Sequence, residues 1–512
     1  MQNVPFKICL INPPVLSVIE PWYDQPSFGR TALAYLAGYL KQFDTYDIKI
    51  IDAKLERLNF QQVLEEVTRY GPNLVGLTAF TNEIKPAAYQ AALIKLQLPS
   101  IITVIGGTHV TALPLKTLEE FIHFDVGVVG EGEITLHELC QAVIQNQPLG
   151  TIPGLVYRED NQVLQTKTRE RILDQTTLPL PAWELLPKSD IYYIQTIRGC
   201  PYNCTFCMNP NGKIPRKRDV NNVIYEINHL IETYSPKHIS FGDEIFSVDK
   251  ERTKELLNQM IINNIGEKVS WDVQTHVDYV DEEIFLLFQK AKVTRVELGI
   301  ETGDLNTLKK MGKGTNVDSI LKACEAARKA KVKIGTFFLL GQPFESQETL
   351  KQTLKLAIKI NPDLPMFGIM VPYPATLVAK MAAAGEGGYK LLSTDWDEYN
   401  KQIGGALEFA NMSRKQIEWF QVKAYLKVYI YNWRFWDLIK FLYQYKTAAI
   451  NVLKKILKGQ TFVYENVDKP ADYDVITGPK LTNKESLIGA YENWQIIQKQ
   501  ELKRSKKSIK QS

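Results

Sequence analysis

Half of the chain's six cysteines fall within eight residues: Cys200, Cys204 and Cys207, in the stretch IRGCPYNCTFCMNP (197–210). The other three, Cys9, Cys140 and Cys324, are scattered singly. The thiolate is the metal-binding form of cysteine, so this C-x3-C-x2-C spacing reads first as a metal site. Structural zinc takes four ligands, commonly as two close pairs of cysteines, and no second pair exists here. The nearest histidines, His229 and His238, lie in or beyond the next helical stretch. A redox CxxC needs only two thiols. Three thiolates can hold three irons of a 4Fe–4S cube, one each, and leave the fourth iron open. An open metal position is what a catalytic site keeps for its substrate.

The elements that must position these residues follow from the rest of the chain. Its 512 residues suggest about two to four domains. The hydrophobic share of 45% and charged share of 23% are ordinary for a soluble globular protein. A net charge of +4 gives no global case for nucleic acid. The start, MQNVPFKICLINPP, lacks the basic and apolar regions of a signal peptide, and no long apolar run predicts a spanning helix. Sparse cysteines then point to a reducing, cytoplasmic setting. Basic charge gathers in LKRSKKSIKQS (502–512), read as a solvated, disordered tail, with a partner-binding arm as the rarer alternative.

Residues 1–150 alternate strands, at 6–14, 47–54, 73–80, 101–109 and 125–133, with helical patterns. This predicts an α/β domain with a doubly wound, five-stranded parallel sheet. Ligands bind such sheets outside the carboxyl ends of the strands, where NPPV, TAFTNE, GGTH and GEGE fall. Residues 151–191 are proline-rich and predict a connector with a small hairpin. Residues 192–380 predict six further strand–helix units, at 192–197, 237–242, 269–275, 293–301, 332–340 and 364–371, enough for a partial (β/α)6 barrel. The cysteines follow its first strand, at the end where such barrels place chemistry. Residues 381–512 predict a mostly helical C-terminal region, with large aromatics between basic residues at 415–445. Those read as core-facing or domain-capping helices; the sharper alternative is an amphipathic face that meets a membrane or a lipid-like substrate.

The cysteine spacing, its place after the first barrel strand and Phe206 before the last cysteine resemble the radical S-adenosylmethionine (SAM) superfamily. The resemblance implies a 4Fe–4S cluster on Cys200, Cys204 and Cys207 whose open iron chelates SAM. It implies one-electron cleavage of SAM to a radical that abstracts hydrogen. It also makes Phe206, Asp243 and Glu244 of SFGDEIF, and Glu301 and Thr302 of VELGIETGD, SAM-binding candidates. Each acid can otherwise be a solvated strand-end charge. FFLLGQPFES and VPYPAT resemble segments that flank adenine, with Ala375 where glycine is commoner.

The N-terminal domain resembles the cobalamin-binding domain of the cobalamin-dependent branch, on FGRTALAYLAGYL, GGTHVTALP and VVGEGEITLHEL. That resemblance covers residues 1 to about 445 and marks Asn12, Thr78, Gly106, Gly107, Gly130 and Glu131 as cobalamin candidates. The loop after the first strand, INPPVLSVIEP, has no histidine, so cobalamin is expected base-off without a protein histidine ligand. His109 is better read as a tail contact or plain packing. The implied activity is methylation of an unactivated carbon of a biosynthetic intermediate. In it, cobalt(I) takes a methyl group from one SAM, a second SAM supplies the radical, and the substrate radical captures the methyl. A cyclase or rearrangement enzyme using the same cofactors is the alternative, and a non-enzymatic cobalamin or metal sensor a weaker one. A methylthiotransferase would have three more clustered cysteines in its N-terminal domain. Expected partners are a small-molecule or peptide substrate, a flavodoxin or ferredoxin electron donor, no nucleic acid, and at most peripheral membrane contact.

Overall fold

The computed structural model describes residues 5–16, 26–400, 405–444, 446, 450, 469–478 and 483–509. Its first sheet begins with β1 (Phe6–Asn12), β2 (Tyr46–Asp52), β3 (Leu74–Thr78), β4 (Ile102–Gly106) and β5 (Val126–Val128). In β1 the run Ile8–Ile11 is buried throughout, as a central strand covered on both faces by helices must be. The helices start and stop where their caps dictate. In helix Phe60–Tyr70, Asn59 and Gln62 close a capping box, and Gly71 takes the left-handed turn that ends it.

These five strands are parallel, in the order β2-β1-β3-β4-β5. The expected hairpin is present as β6 (Leu155–Glu159) and β7 (Gln162–Gln165). It does not stand apart: β6 pairs antiparallel with β5, so the sheet has seven strands rather than five. The chain leaves β5 through helix Glu133–Ile144 and returns along its edge in the opposite sense, with Val126 opposite Tyr157 and Val128 opposite Leu155.

The second sheet is all parallel: β8 (Ile191–Ile194), β11 (His238–Phe241), β12 (Ser270–Thr275), β13 (Arg295–Glu301), β14 (Ile334–Leu340) and β15 (Leu364–Ile369). Between the first two, β9 (Ile197–Arg198) and β10 (Arg216–Lys217) form a two-residue ribbon. Sequential strands are neighbours, in the order β8-β11-β12-β13-β14-β15, the topology of a barrel left open after six units.

The two sheets share one apolar core, which runs from Ile8 and Leu10 through Leu33, Trp183 and Leu186 to Tyr192 and Ile239. Trp183 lies in the connector, where its indole N–H donates to Glu226 at 3.1 Å. Two C-terminal features also bind the halves together. Lys85, 1% exposed, reaches Asp395 at 3.0 Å and Asp397 at 3.2 Å. Helix Lys484–Ile509 buries Leu487 and Trp494 in the second apolar core, with residues of the N-terminal sheet such as Ile11 and Leu77. The basic tail therefore differs from its expectation: as far as Ile509 it continues this helix, and Arg171 holds Glu501 at 2.9 Å. Residues 510–512 lie outside the described residues.

Candidate functional site

The cysteine loop, 199–215, is strung between the two strands of the β9–β10 ribbon, just past the carboxyl end of β8. Gly199 opens it at φ +108°; a Cβ there would stand 2.4 Å from the Ile214 carbonyl oxygen. Cys200 N–H donates to Gly212 O (3.0 Å), Asn209 Nδ2 to Cys200 O (2.6 Å) and Cys207 N–H to Cys204 O (3.1 Å). The backbone thus folds back on itself and brings three free thiols onto one short loop. Cys200 and Cys204 are half-buried and Cys207 is exposed. Burial pushes the Cys200 thiol up to about 11 and the Cys204 thiol up to about 12. Among the described residues no three His, Cys, Asp or Glu side chains converge to hold a single metal ion. A cluster asks for something else, one thiolate per iron around a cube, which suits thiols spread along a loop.

A second loop braces the first. Thr205 N–H donates to Met311 O at 2.9 Å, and Cys204 Sγ lies 4.0 Å from Gly312 O. This places the buried Lys313 ammonium beside the cysteines, where it draws the Cys204 and Cys200 thiols towards the thiolate. Lys313 is paired with Glu301 at 2.8 Å. Sequence reasoning missed Lys313; the signal was the GKG triplet, whose lysine lies between two glycines with positive φ.

The acidic candidates after β11 turn to the protein. Asp243 is fully buried and accepts from Thr196 N (2.6 Å), Ile197 N (2.9 Å) and Thr196 Oγ1 (2.6 Å), fastening the end of β11 to the link between β8 and β9. Burial pushes its carboxyl up to about 6 against those donors. Glu244 accepts from Gly199 N at 3.1 Å and from the Asn211 amide, so it holds both ends of the cysteine loop. Glu301 sits at a register shift in β13 with φ +67°. Thr302 is buried against the Thr353 hydroxyl at 2.9 Å, and Phe206 packs half-buried on the main core.

Asn12, Thr78, Gly106, Gly107 and Gly130 gather along the carboxyl edge of the first sheet. Gly107, at φ +103°, lies so close to Ala79 that a Cβ would stand 2.5 Å from its carbonyl oxygen. A Cβ at Gly130 would meet nothing within 4 Å. Asn12 donates to Asp52 at 2.6 Å, while its own buried Oδ1 has no partner among the described residues. Open backbone and a waiting acceptor suit a polar cofactor tail. His109 is buried edge-on against Trp396, 4.9 Å between ring centres, and burial pulls its imidazole down to about 3. Glu131, next to Gly130, is held by side chains of the second half of the chain. Arg216 grips it with two hydrogen bonds of 2.9 and 2.6 Å, and Arg198 lies 3.6 Å away while bonding Glu133 at 2.8 Å. Both arginines belong to the ribbon that carries the cysteine loop. From the other side, Trp494 Nε1 and Gln498 Nε2 donate to the carbonyl of Met208, one residue past Cys207, at 2.6 and 3.2 Å.

Glu345, in the loop after β14, accepts from the backbone N–H groups of Gly341 and Gln342 (the latter 3.0 Å), yet burial pushes its carboxyl up to about 7. A carboxyl raised by folding stabilises the fold below its ordinary value and loses that contribution as pH rises through about 7. Between about pH 5 and about pH 8, the wild-type melting temperature should therefore fall more steeply than that of Glu345→Gln. Parallel profiles would refute this.

An open six-stranded parallel barrel with a three-thiol loop past its first strand, joined to a doubly wound sheet, defines a radical SAM core with a cofactor-binding partner domain. The Radical SAM superfamily matches residues 194–357 and the B12 binding domain residues 28–140. The uncharacterized methyltransferase PH0819 of Pyrococcus horikoshii is 31% identical over 469 residues, 90% of this chain and 98% of that protein. Anaerobic magnesium-protoporphyrin IX monomethyl ester cyclase of Rubrivivax gelatinosus is 30% identical over 72% of this chain and 68% of its own length. Among solved structures, the cobalamin-dependent SAM radical enzyme OxsB, with aqua-cobalamin and SAM bound, superposes with a TM-score of 0.67 at 16% identity, covering 99% of this chain and 81% of its own. The radical SAM methyltransferase TsrM of Kitasatospora setae gives 0.66 at 18% identity, covering 83% of this chain and 88% of its own. The chain belongs to the cobalamin-dependent radical SAM enzymes. Its cofactors are a 4Fe–4S cluster, SAM and cobalamin.

Proposed function

We propose that this enzyme methylates an unactivated carbon of a biosynthetic intermediate. The observation that carries the reading is the seam between the halves. The ribbon bearing the cysteine loop is locked by Arg198 and Arg216 to Glu131 and Glu133 of the cobalamin domain, which supports a reaction that uses both cofactors together. When bound, the cluster and SAM supply a hydrogen-abstracting radical, and cobalamin supplies the methyl group.

In this reading Cys200, Cys204 and Cys207 hold the cluster, and Lys313 offsets its negative charge. Asp243 and Glu244 fix the loop; Glu244, half-buried beside the thiols, also borders the SAM amine, and Phe206, Glu301 and Thr302 shape the SAM site. Asn12, Thr78, Gly106, Gly107 and Gly130 receive the cobalamin tail. No histidine ligates cobalt, since the described part of the loop after β1 has none and His109 packs on Trp396. The electron donor is a flavodoxin or ferredoxin, and the setting is the reducing cytoplasm.

The test uses anaerobically reconstituted enzyme with trideuteromethyl-labelled SAM and metabolite extract from its source. A product with one precursor hydrogen replaced by a trideuteromethyl group, formed together with 5′-deoxyadenosine that carries that hydrogen, is expected. The relative named as a cyclase supports a second reading, ring formation without methyl transfer. Deoxyadenosine with an unlabelled product would favour it and overturn methylation.

A further inference from the structure

Helices Arg414–Tyr431 and Phe435–Gln444 form a hairpin beside β15. The first helix is core-facing, as the plainer sequence reading holds: it buries Ile417, Ala424 and Val428, and its Tyr425 hydroxyl receives Phe367 N–H at 3.0 Å. The second buries no residue and is attached through Phe441, whose ring stacks on Tyr425 at 5.1 Å.

The turn between them has its polarity inverted. Asn432 faces inward, its amide donating to Ile358 O at 3.1 Å. Arg434 also faces inward, reaching Asn361 Oδ1 at 3.1 Å and Asp363 O at 3.0 Å. The large rings between and after them face outward: Trp433 is 81% exposed, Trp436 77% and Tyr443 74%. Folded proteins place turns the other way round, with polar groups in water and rings buried. Pinning the polar side chains fixes the outward rings in place, which costs little further entropy when a partner covers them.

The charge around the rings indicates the partner. From Lys423 to Lys446 the charged residues are Lys423, Lys427, Arg434, Asp437, Lys440 and Lys446. The single acid, Asp437, is paired with Arg434 at 2.7 Å. The next stretch, to residue 458, adds three lysines and no acid. Lysines also sit over the rings, Lys427 over Tyr431 at 6.0 Å and Lys446 over Tyr443 at 5.4 Å. Tryptophan and tyrosine with interleaved lysine suit the headgroup layer of a bilayer, where rings lie among acyl chain ends and ammonium groups meet lipid phosphates. Among the described residues no helix is long and apolar enough to cross a membrane, so such contact is interfacial.

We propose that the 430–443 hairpin tip docks on an anionic phospholipid surface. This goes beyond the proposed reaction and does not depend on it. The full-length, cluster-loaded protein is sedimented with vesicles of phosphatidylcholine and phosphatidylglycerol, and with phosphatidylcholine alone. Binding to the anionic vesicles is expected, weakened by salt as basic residues near a charged surface require. The double variant Trp433→Ser/Trp436→Ser should bind at least about tenfold less, with an unchanged melting curve, since both side chains lie in water. Tyr225→Ser, which removes an exposed ring elsewhere, should bind like wild type. The proposal fails if wild type does not sediment with anionic vesicles, or if the double variant binds as well as wild type. It also fails if wild type is a dimer in solution that the double variant dissociates, because a second copy then covers the tip.

Discussion

Cys204→Ala should reduce iron in the anaerobically reconstituted protein from about four per chain to below about one, and abolish 5′-deoxyadenosine formation. With three ligands the cube keeps one open corner; with two it has two, and loses its hold on the chain. The fold should survive, because Cys204 is half-buried on a loop whose backbone hydrogen bonds do not use its sulfur as a donor or acceptor within the loop. Circular dichroism and the melting curve should match wild type. The contrast is with the solitary cysteines. Cys9 lies in the buried run of β1 and Cys324 in helix Val317–Lys329, and burial pushes each thiol up to about 12. Cys9→Ala and Cys324→Ala should leave iron unchanged. Full iron in Cys204→Ala, or its loss in Cys324→Ala, would remove the cluster assignment.

Glu131→Gln is expected to cost about 3–5 kcal/mol, the usual penalty for breaking a buried ion pair from one side. Its carboxylate is held below the ordinary range: burial pulls it up, but Arg216, Arg198 and Arg171 outweigh that. Arg216 is 3% exposed, so the neutral amide leaves a guanidinium desolvated without its counter-charge. Because the ribbon carrying Arg216 also carries the cysteine loop, the damage should reach the cluster. Hydrogen exchange should quicken across residues 197–217, and reconstituted iron should fall. The double variant Glu131→Gln/Arg216→Met should recover much of the lost stability, since neither charge is then stranded. A single variant within about 0.5 kcal/mol of wild type would show the seam to be solvated rather than sealed.

The sequence by itself determined the architecture and the candidate chemistry. Strand–helix alternation has a short-range cause, the burial of apolar runs such as Ile8–Ile11, and so all eleven expected parallel strands are present. The three cysteines are close along the chain, and their spacing limits what they can hold without any long-range information. What only the tertiary structure decided depends on residues far apart in sequence. Glu131 could be read from its glycine-rich segment as a cofactor contact; that it also pairs with Arg216, 85 residues on, follows from how two sheets dock, which no local pattern encodes. Lys313 acquires its place beside the thiols from a loop 109 residues past Cys204 (313 − 204), and Trp494 reaches Met208 across 286 residues. The aromatic run at 415–445 has one periodicity and two fates, because only packing settles which ring finds a neighbour: Phe441 stacks on Tyr425, while Trp436 faces water. Local sequence sets which segments become elements; the charges and rings left at their surfaces take their roles only when the elements meet.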